Sequence, residues 1–475
     1  SPQHPGVCKL NIYNNFMDRP LRVAVVGSGP AGFYAAGALV AQEDPPVSVD
    51  MFDRLPSPYG LVRYGVAPDH ENIRNVLRIY RKTLGNERVR FFGNVEYGRD
   101  LKHGDLLELY DYVVFSTGAP TDRSLGIPGE ELKGSLSATE FVAWYNGHPD
   151  FVDLDISLDM ESVVVVGVGN VAIDVARILA RSIEELAVTD IADYALDVLS
   201  KSRVRDIYVL GRRGPAQAKF TNPEIKEFGK LDVADAVVRS DELELDPLSE
   251  ATLEDDRTAR KNLEILHELA ATGLTGKPKR VHFRFLVSPV EIIGDESGMK
   301  AVRIERNELR PTESGYLNSH GTGEFETLEA GMILRSVGYR GLPLPELPYD
   351  SRKGTVPNKA GRIIDPDSGQ PLPRSYVAGW AKRGPTGVIG TNKADAVETV
   401  ASLLDDAREA DRGFADRPDM EEIDKLLSAR GVQYVSYEDW CRIEALEEER
   451  GAREGRPRVK FLRAEEMLAA CLPEV

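Results

Sequence analysis

The chain has 475 residues, a net charge of −18 and 42% apolar residues, with a pI near 5.0. It is long enough for two or three domains around a large core, and its acidic average field argues against general binding of nucleic acid or an anionic membrane surface. The three cysteines, Cys8, Cys441 and Cys471, form no C-x-x-C, which removes a redox disulfide pair and any zinc or iron–sulfur ligand set and suits a reducing, cytoplasmic compartment.

No run of 18 apolar residues predicts a transmembrane helix. Residues 1–16 lack the basic-then-apolar pattern of a secretory signal. Met17 reads as a natural start, with Ser1 to Phe16 a short arm or an expression remnant.

The first element is Val23 to Ala36, VAVVGSGPAGFYAA. An apolar strand runs into Gly27-Ser28-Gly29-Pro30-Ala31-Gly32, and a helical pattern follows. That is the context a G-x-G-x-x-G match needs to mark a dinucleotide site. Gly27 permits the tight turn, Gly29 lets backbone approach a pyrophosphate, and Gly32 lets helix and strand pack closely. The helix start offers unpaired N–H groups to phosphates. A second apolar strand, Val47 to Phe52, ends in Asp53, 21 residues after Gly32, where an acid can accept from a ribose hydroxyl.

Residues 53–70, DRLPSPYGLVRYGVAPDH, are rich in Pro and Gly yet carry Leu61, Val62 and Val66. They predict a structured loop over a ligand. A helix is expected over Asn72 to Leu84, with Ile73, Val76, Leu77 and Tyr80 on one face. Strands follow at Val89 to Val95 and Asp111 to Phe115. The second ends in the small turn Ser116-Thr117-Gly118-Ala119, another place where backbone can approach a cofactor.

After Pro120 the pattern restarts. Ser162 to Val166 leads into Gly167-Val168-Gly169-Asn170-Val171-Ala172 and a helix from Ala172 to Leu186. This is the G-x-G-x-x-A form of the same fingerprint, so two dinucleotide sites are expected. The next strand, Ile207 to Leu210, ends in Gly211-Arg212-Arg213-Gly214-Pro215. A site for NAD places an acid here. Two arginines instead suit a 2′-phosphate, which each can grip in a bidentate way. At about 1.5–3 kcal/mol per charged hydrogen bond, the pair is worth roughly 3–6 kcal/mol, or a preference for NADPH of about a hundredfold or more. An acidic helical insert around Ala187 to Lys201 lengthens this unit.

Asn222-Pro223 reads as a helix start, and Arg257 to Ala271 as an amphipathic helix opening with Arg257, Arg260 and Lys261. Strands are expected at Val281 to Pro289, Met299 to Glu305, Thr327 to Ser336 and Tyr376-Val377. Next comes the loop of Gly384, Pro385 and Gly387, which opens a long helix from Val388. Its positive N-terminal end suits an anionic ligand such as a reduced flavin. Residues 420–470 read as a charged helical extension packed on the first unit.

Together these motifs resemble the adrenodoxin-reductase family of ferredoxin–NADP⁺ reductases, including its actinobacterial branch. The resemblance spans about Leu21 to Met467 and rests on GSGPAGFYAA, PSPYGLVRYGVAPDH, GVGNVAIDVARIL, GRRGPAQAKFTNPE and GWAKRGPTGVIGTNK. The chain is also similar to the mycobacterial-type member fused to a bacterial ferredoxin, but lacks the cysteine-rich ferredoxin and so would need a separate carrier.

The resemblance implies FAD in the first site, with contacts at Ala31, Asp53, Leu61, the backbone near Tyr97, Trp380 and the Gly387-Val388-Ile389 helix start. Asp53 stands where many relatives have Glu. It implies NADP(H) contacts at Gly167, Val168, Gly169, Asn170, Arg212, Arg213, Glu224 and Gly387, with Arg123 a further candidate. Lys219 stands where relatives usually have a small residue and, reaching the 2′-phosphate, would strengthen the preference for NADP. His70, Asp174 and Glu227 match polar positions near the flavin and nicotinamide; for His70 a structural and a catalytic role stay open.

The expected fold is α/β, with two Rossmann-like three-layer nucleotide-binding domains in a glutathione-reductase-like architecture without the redox disulfide. The FAD domain would comprise 17–119 and 336–475, with the NADP domain, 120–335, inserted at crossings near Pro120 and Gly338. The expected reaction is hydride transfer from NADPH to flavin, then single-electron transfers to an acidic [2Fe–2S] or similar ferredoxin, serving a cytochrome P450 or another acceptor. Lys226, Arg257, Arg260 and Lys261 would form the docking patch, against the alternative of solvated helix faces. The rival readings are an FAD/NADPH-dependent monooxygenase or oxidase and a non-catalytic dinucleotide sensor.

Overall fold

A computed structural model of the protein describes residues 19–409 and 414–471. The expected N-terminal arm, Met17 and Cys8 lie outside them. Two large sheets dominate. The first has seven strands. Its centre is Leu21–Val26, hydrogen-bonded in parallel to Val47–Phe52 on one side and Tyr112–Phe115 on the other. All three are buried along their whole length, as continuous apolar strands between helical layers are. Val89–Phe92 completes one edge. Pro371–Val377 joins Tyr112–Phe115 in parallel, so chain from the far end of the sequence closes this sheet.

The second sheet has six strands, every pair parallel. Ser162–Val166 and Asp206–Gly211 lie at its centre, and Met332–Arg335 returns beside Ser162–Val166. Two short strands, Thr121–Asp122 and Tyr339–Arg340, pair antiparallel, so the two crossings between the large sheets are held to each other. A separate three-stranded antiparallel sheet, Val287–Asp295, Gly298–Pro311 and Leu317–Glu329, packs on the second. The fold is two Rossmann-like α/β units, as the sequence pattern predicts.

Several boundaries differ from the sequence reading, each for a local reason. The helix expected over Asn72 to Leu84 begins as a 3₁₀ turn, Glu71–Val76, and becomes α-helical at Leu77–Leu84. Ile73 is exposed rather than on the buried face. The helix expected to reach Leu186 ends at Ala180, and Ser182 caps a new one, Ile183–Ala187, by accepting from Glu185 N. The strand expected over Val281 to Pro289 is two strands, broken at Leu286 with φ of 56°. The expected strand Thr327 to Ser336 is likewise the end of one strand and all of another.

The long helix expected from Val388 starts only at Thr391. Val388 N donates to Thr391 Oγ1, so the loop closes a turn before the helix begins. The C-terminal extension buries Trp440 and Ile443 in the core of the first unit. It also crosses to the second: Arg456 Nε donates to Thr189 O, and Arg458 pairs with Asp190 at 2.8 Å.

Candidate functional site

Both glycine turns are built from the same parts. Gly27 N donates to Phe52 O at 2.8 Å and Gly167 N to Leu210 O at 2.9 Å; each bond fastens the turn to the next strand. Gly27 has φ of 108° and a Cβ there would sit 2.3 Å from Ser116 O. Gly167 has φ of 132° and a Cβ would sit 2.2 Å from Ser336 O. Only glycine meets both demands. The following helices, Pro30–Val40 and Asn170–Ala180, start on Gly29 and Gly169 without a side-chain cap. Their first N–H groups therefore point out of each turn with no side-chain acceptor, which is the donor set a pyrophosphate takes.

The first turn is roofed. Tyr59 N donates to Ser28 O at 2.9 Å, drawing the loop that begins at Asp53 over the glycines, and a Cβ on Gly60 would lie 2.9 Å from Gly29 Cα. Ala31 abuts Gly379, which brings in the Trp380 segment; Gly32 is buried in the helix. The Trp380 ring lies 4.9 Å from that of Tyr339, at the crossing between the units. Leu61 opens a short helix and is 40% exposed. Tyr97 stands edge-on to Phe115 at 5.0 Å and donates its hydroxyl to Pro345 O.

Asp53 does not wait empty. It accepts from Ser28 N at 3.1 Å, from Ser28 Oγ, and from Leu55 N at 2.9 Å. Burial raises its pKa against those bonds. The carboxylate thus braces the glycine turn. Gly387, Val388 and Ile389 belong to the loop before the long helix, not to its start, and Gly387 and Val388 are exposed.

The second turn is open. A Cβ on Gly169 would meet nothing within 4 Å. Val168 O accepts from Lys219 N and Phe220 N, and Asn170 Oδ1 accepts from Thr221 N at 3.0 Å, so the segment 219–224 is laid along the turn. Lys219 is exposed there, and Arg123 is exposed at the crossing. Arg212 is exposed and Arg213 half-buried. Among the described residues no carboxylate lies within ion-pair distance of either.

Between the units sits a charged cluster. His70 Nε2 contacts Glu227 Oε1 at 2.7 Å and His70 Nδ1 lies 3.3 Å from Glu224 Oε1. Arg177, fully buried, donates to Asp69 at 2.6 Å, Asp174 at 2.9 Å and Glu224 at 2.9 Å. Arg181 reaches Asp69 at 2.7 Å and Glu227 at 3.0 Å. Burial alone would lower the His70 pKa, but the bonds to Glu224 and Glu227 outweigh it and raise it to about 10, so the ring is an imidazolium. Burial, opposed by Arg177 and aided by Glu224, pushes Asp174 up to about 7. Asp69, despite burial, is held down at about 2 by Arg177 and Arg181. Both His70 nitrogens are engaged.

The structure thus brings His70, Asp174, Glu224 and Glu227 together, but both oxygens of Glu224 are already occupied by His70 and Arg177. Sequence reasoning singled out neither Arg177, Asp69 nor Arg181. A signal was available: Asn170, Asp174, Arg177 and Arg181 recur at helical spacing, a polar stripe that must face something charged. All four docking cations are exposed, and Lys226 and Arg257 make no ion pair among the described residues. Arg260 donates to Leu253 O and Glu254 O, and Lys261 pairs with Glu264 at 2.9 Å.

Comparison with known proteins agrees with this arrangement. A model of the pyridine nucleotide-disulphide oxidoreductase family matches residues 21–209. A probable ferredoxin/ferredoxin–NADP reductase of Mycobacterium tuberculosis is 44% identical over 95% of this chain and 76% of its own. The NADPH-ferredoxin reductase FprA of the same organism is 43% identical over 95% and 99%. A mitochondrial NADPH:adrenodoxin oxidoreductase of Arabidopsis thaliana is 39% identical over 96% and 97%. The solved structure of M. tuberculosis FprA in complex with NADPH superposes with a TM-score of 0.91, covering 96% of this chain and all of that one. With two glycine turns, one roofed and one open, an arginine pair at the second and relatives this similar over nearly its whole length, the chain belongs to the adrenodoxin-reductase-type ferredoxin–NADP reductases.

Proposed function

We propose that the protein is an FAD-containing, NADPH-dependent ferredoxin reductase, with FAD in the roofed turn and NADPH in the open one. The observation that carries the reading is the contrast at the two strand ends: a carboxylate tied into the first turn, and an arginine pair without a carboxylate partner at the second. The residues fit the two groups, since Gly29 and Gly169 leave their helix N–H groups available and Arg212 and Arg213 can receive a 2′-phosphate. A flavin supplies hydride acceptance and one-electron release, so no general acid is required of the protein for hydride transfer.

The chain's own work is placement. Gly167, Val168, Gly169 and Asn170 bind pyrophosphate. The segment fastened to Val168 O and Asn170 Oδ1 carries Glu224 and Glu227 to His70. His70, Glu224 and Glu227 act as positioning residues that hold the loop at Asp69 against the second unit. Asp174 is the member of the cluster able to take up or release a proton near neutral pH. Ala31, Asp53, Leu61, Tyr97, Trp380 and the loop Gly387 to Ile389 complete the flavin side of this reading. Its domain division is 17–119 with 336–475 and an inserted 120–335, supported by the return of Pro371–Val377 to the first sheet.

The one-electron partner in this reading is an acidic ferredoxin, docking at Lys226 and Arg257, with Arg260 and Lys261 contributing less because both are engaged within the chain. A reducing, cytoplasmic setting accords with the cysteine pattern; among the described residues no helix is long and apolar enough to cross a membrane. The test is cytochrome c reduction by the purified protein, with and without ferredoxin, using NADPH and then NADH. Stimulation by ferredoxin with NADPH preferred is expected. NADPH consumption driven by an organic substrate without any carrier would favour a monooxygenase instead. Indifference between the two nicotinamides would remove the role given to Arg212 and Arg213.

A further inference from the structure

The loop that carries Arg212 and Arg213 is held by Asn307 of the small three-stranded sheet and by Leu286, the residue between that sheet and the six-stranded one. Asn307 Nδ2 donates to Arg212 O at 2.9 Å and contacts Ser288 Oγ at 2.8 Å. Leu286 N donates to Arg213 O at 2.9 Å, and Asn307 N donates to Leu286 O at 2.7 Å. Asn307 is buried. Beneath this lattice Val287, Ile292, Met299, Val302 and Ile304 share one core with Val164, Val166 and Leu210. The backbone of the arginine pair is therefore fixed from one side by an element that contributes nothing to the glycine turn itself.

The side chain of Arg213 is also held. Its guanidinium carbon lies 4.8 Å from the centroid of the Tyr316 ring. Tyr316 stands at the tip of the hairpin joining Gly298–Pro311 to Leu317–Glu329. The tip is a defined turn: Gly315 has φ of 82°, Thr312 N donates to Tyr316 O at 2.8 Å, and Tyr316 N donates to Thr312 Oγ1 at 3.1 Å. The ring is 46% exposed, so it is not there to fill a core. A guanidinium over a ring is attracted to the ring's negative face without spending its N–H donors. Its N–H edge remains free to take two phosphate oxygens.

We propose that Tyr316 is a positioning residue for cofactor specificity: its ring holds the Arg213 guanidinium flat at the strand end, aligned with Arg212 to receive the 2′-phosphate of NADPH. The proposal rests on the reading that the arginine pair binds that phosphate. It extends the specificity determinant to a hairpin about a hundred residues further along the chain.

The experiment is calorimetric titration of the purified flavoprotein with 2′,5′-ADP and, by displacement, with 5′-AMP. The proteins are the parent, Tyr316→Phe, Tyr316→Ala, Arg213→Ala and the Tyr316→Ala/Arg213→Ala double variant. Tyr316→Ala is expected to weaken 2′,5′-ADP about two- to fivefold, the worth of one partly exposed cation–π contact. Affinity for 5′-AMP should not change. Tyr316→Phe should restore the parent value, and the double variant should match Arg213→Ala alone. Parent-like 2′,5′-ADP affinity in Tyr316→Ala would overturn the proposal. Equal weakening of both ligands would overturn it too, because the ring would then serve the adenine rather than Arg213. If the parent itself binds the two ligands equally, the reading of the arginine pair fails and the role of Tyr316 fails with it.

Discussion

The turn at Gly27 and the turn at Gly167 share one pattern of backbone contacts. Each is fastened to the next strand by the first glycine's N–H, each lies against a serine at the end of a neighbouring strand, and each uses the carbonyl of the following residue, Ser28 or Val168, to dock a later loop. They differ in what that loop does. In the first unit Tyr59 and Gly60 close over Gly29, and Asp53 is spent on Ser28 and Leu55. In the second, no atom of the described residues lies within 4 Å of where a Gly169 Cβ would stand, and Arg212 faces solvent. One phosphate nest serves two purposes: a roof suits a group that stays, an open edge suits one that comes and goes. In the function proposed above, the fingerprint would hold phosphate and the loop docked beside it would set how long the bound group stays.

The largest effects should come from filling either nest. Gly27→Ala places a methyl group against Ser116 O at an unfavourable φ, and should yield a protein purified without flavin absorbance. Gly167→Ala meets Ser336 O in the same way but should remain yellow, with NADPH-driven dye reduction down by about a hundredfold. Gly169→Ala meets no atom of the described residues within 4 Å and should fold and stay yellow, but it should weaken NADPH binding, since that open space is where the proposed pyrophosphate approaches the backbone. A yellow, active Gly27→Ala protein would break the comparison at its root.

Next is the charge cluster that keeps the two nests in register. Arg177→Met leaves Asp69, Asp174 and Glu224 without their shared partner in a buried site, and should lower stability by about 3–5 kcal/mol in urea unfolding. A loss below about 1 kcal/mol would mean that the cluster does not tie the units together.

A smaller change is expected from Arg212→Ala. Losing a charged hydrogen bond of about 1.5–3 kcal/mol should reduce the preference for NADPH over NADH by roughly ten- to a hundredfold, read as the ratio of kcat/KM values, with the flavin spectrum unchanged. An unaltered ratio would assign the 2′-phosphate elsewhere, with Lys219 the next residue to test.

The mildest test concerns pH. His70 holds its proton more tightly in the folded protein, with a pKa of about 10 against 6.5 in its absence of partners. The stability this contributes is fully present below pH 6.5 and is lost as pH rises through about 10. Lys460, which burial lowers to about 7, acts in the opposite sense in both proteins, so the prediction is a difference: between pH 7 and pH 10 the parent's urea midpoint should fall relative to that of His70→Gln. An equal slope in both proteins would show that His70 is not the titrating group.

Much of this was legible in the linear chain, because glycine turns, strand ends and helix starts are local: a few consecutive residues dictate the backbone path and the donors it exposes. The two fingerprints, the Asp53 and Arg212 strand ends and the doubly wound architecture follow from runs of fewer than about 40 residues. Helix boundaries were less legible, because the capping bonds of Ser182 and Thr391 stop or delay helices whose apolar spacing continues past them. Partnerships across long separations were not legible at all. Nothing near Asp53 announces that Ser28 will take its oxygen, and nothing near Arg213 announces Tyr316. Arg177 could be seen as polar on a helical stripe, yet its three carboxylates come from Asp69, Asp174 and Glu224, two of them on other elements. The sequence by itself determined where the two glycine turns with uncapped helix starts would form, since that depends on local backbone conformation. Tertiary structure alone decided which nest is covered, which charges neutralise one another and which arginine is held ready, since these depend on which distant segments the packing of the two sheets brings face to face.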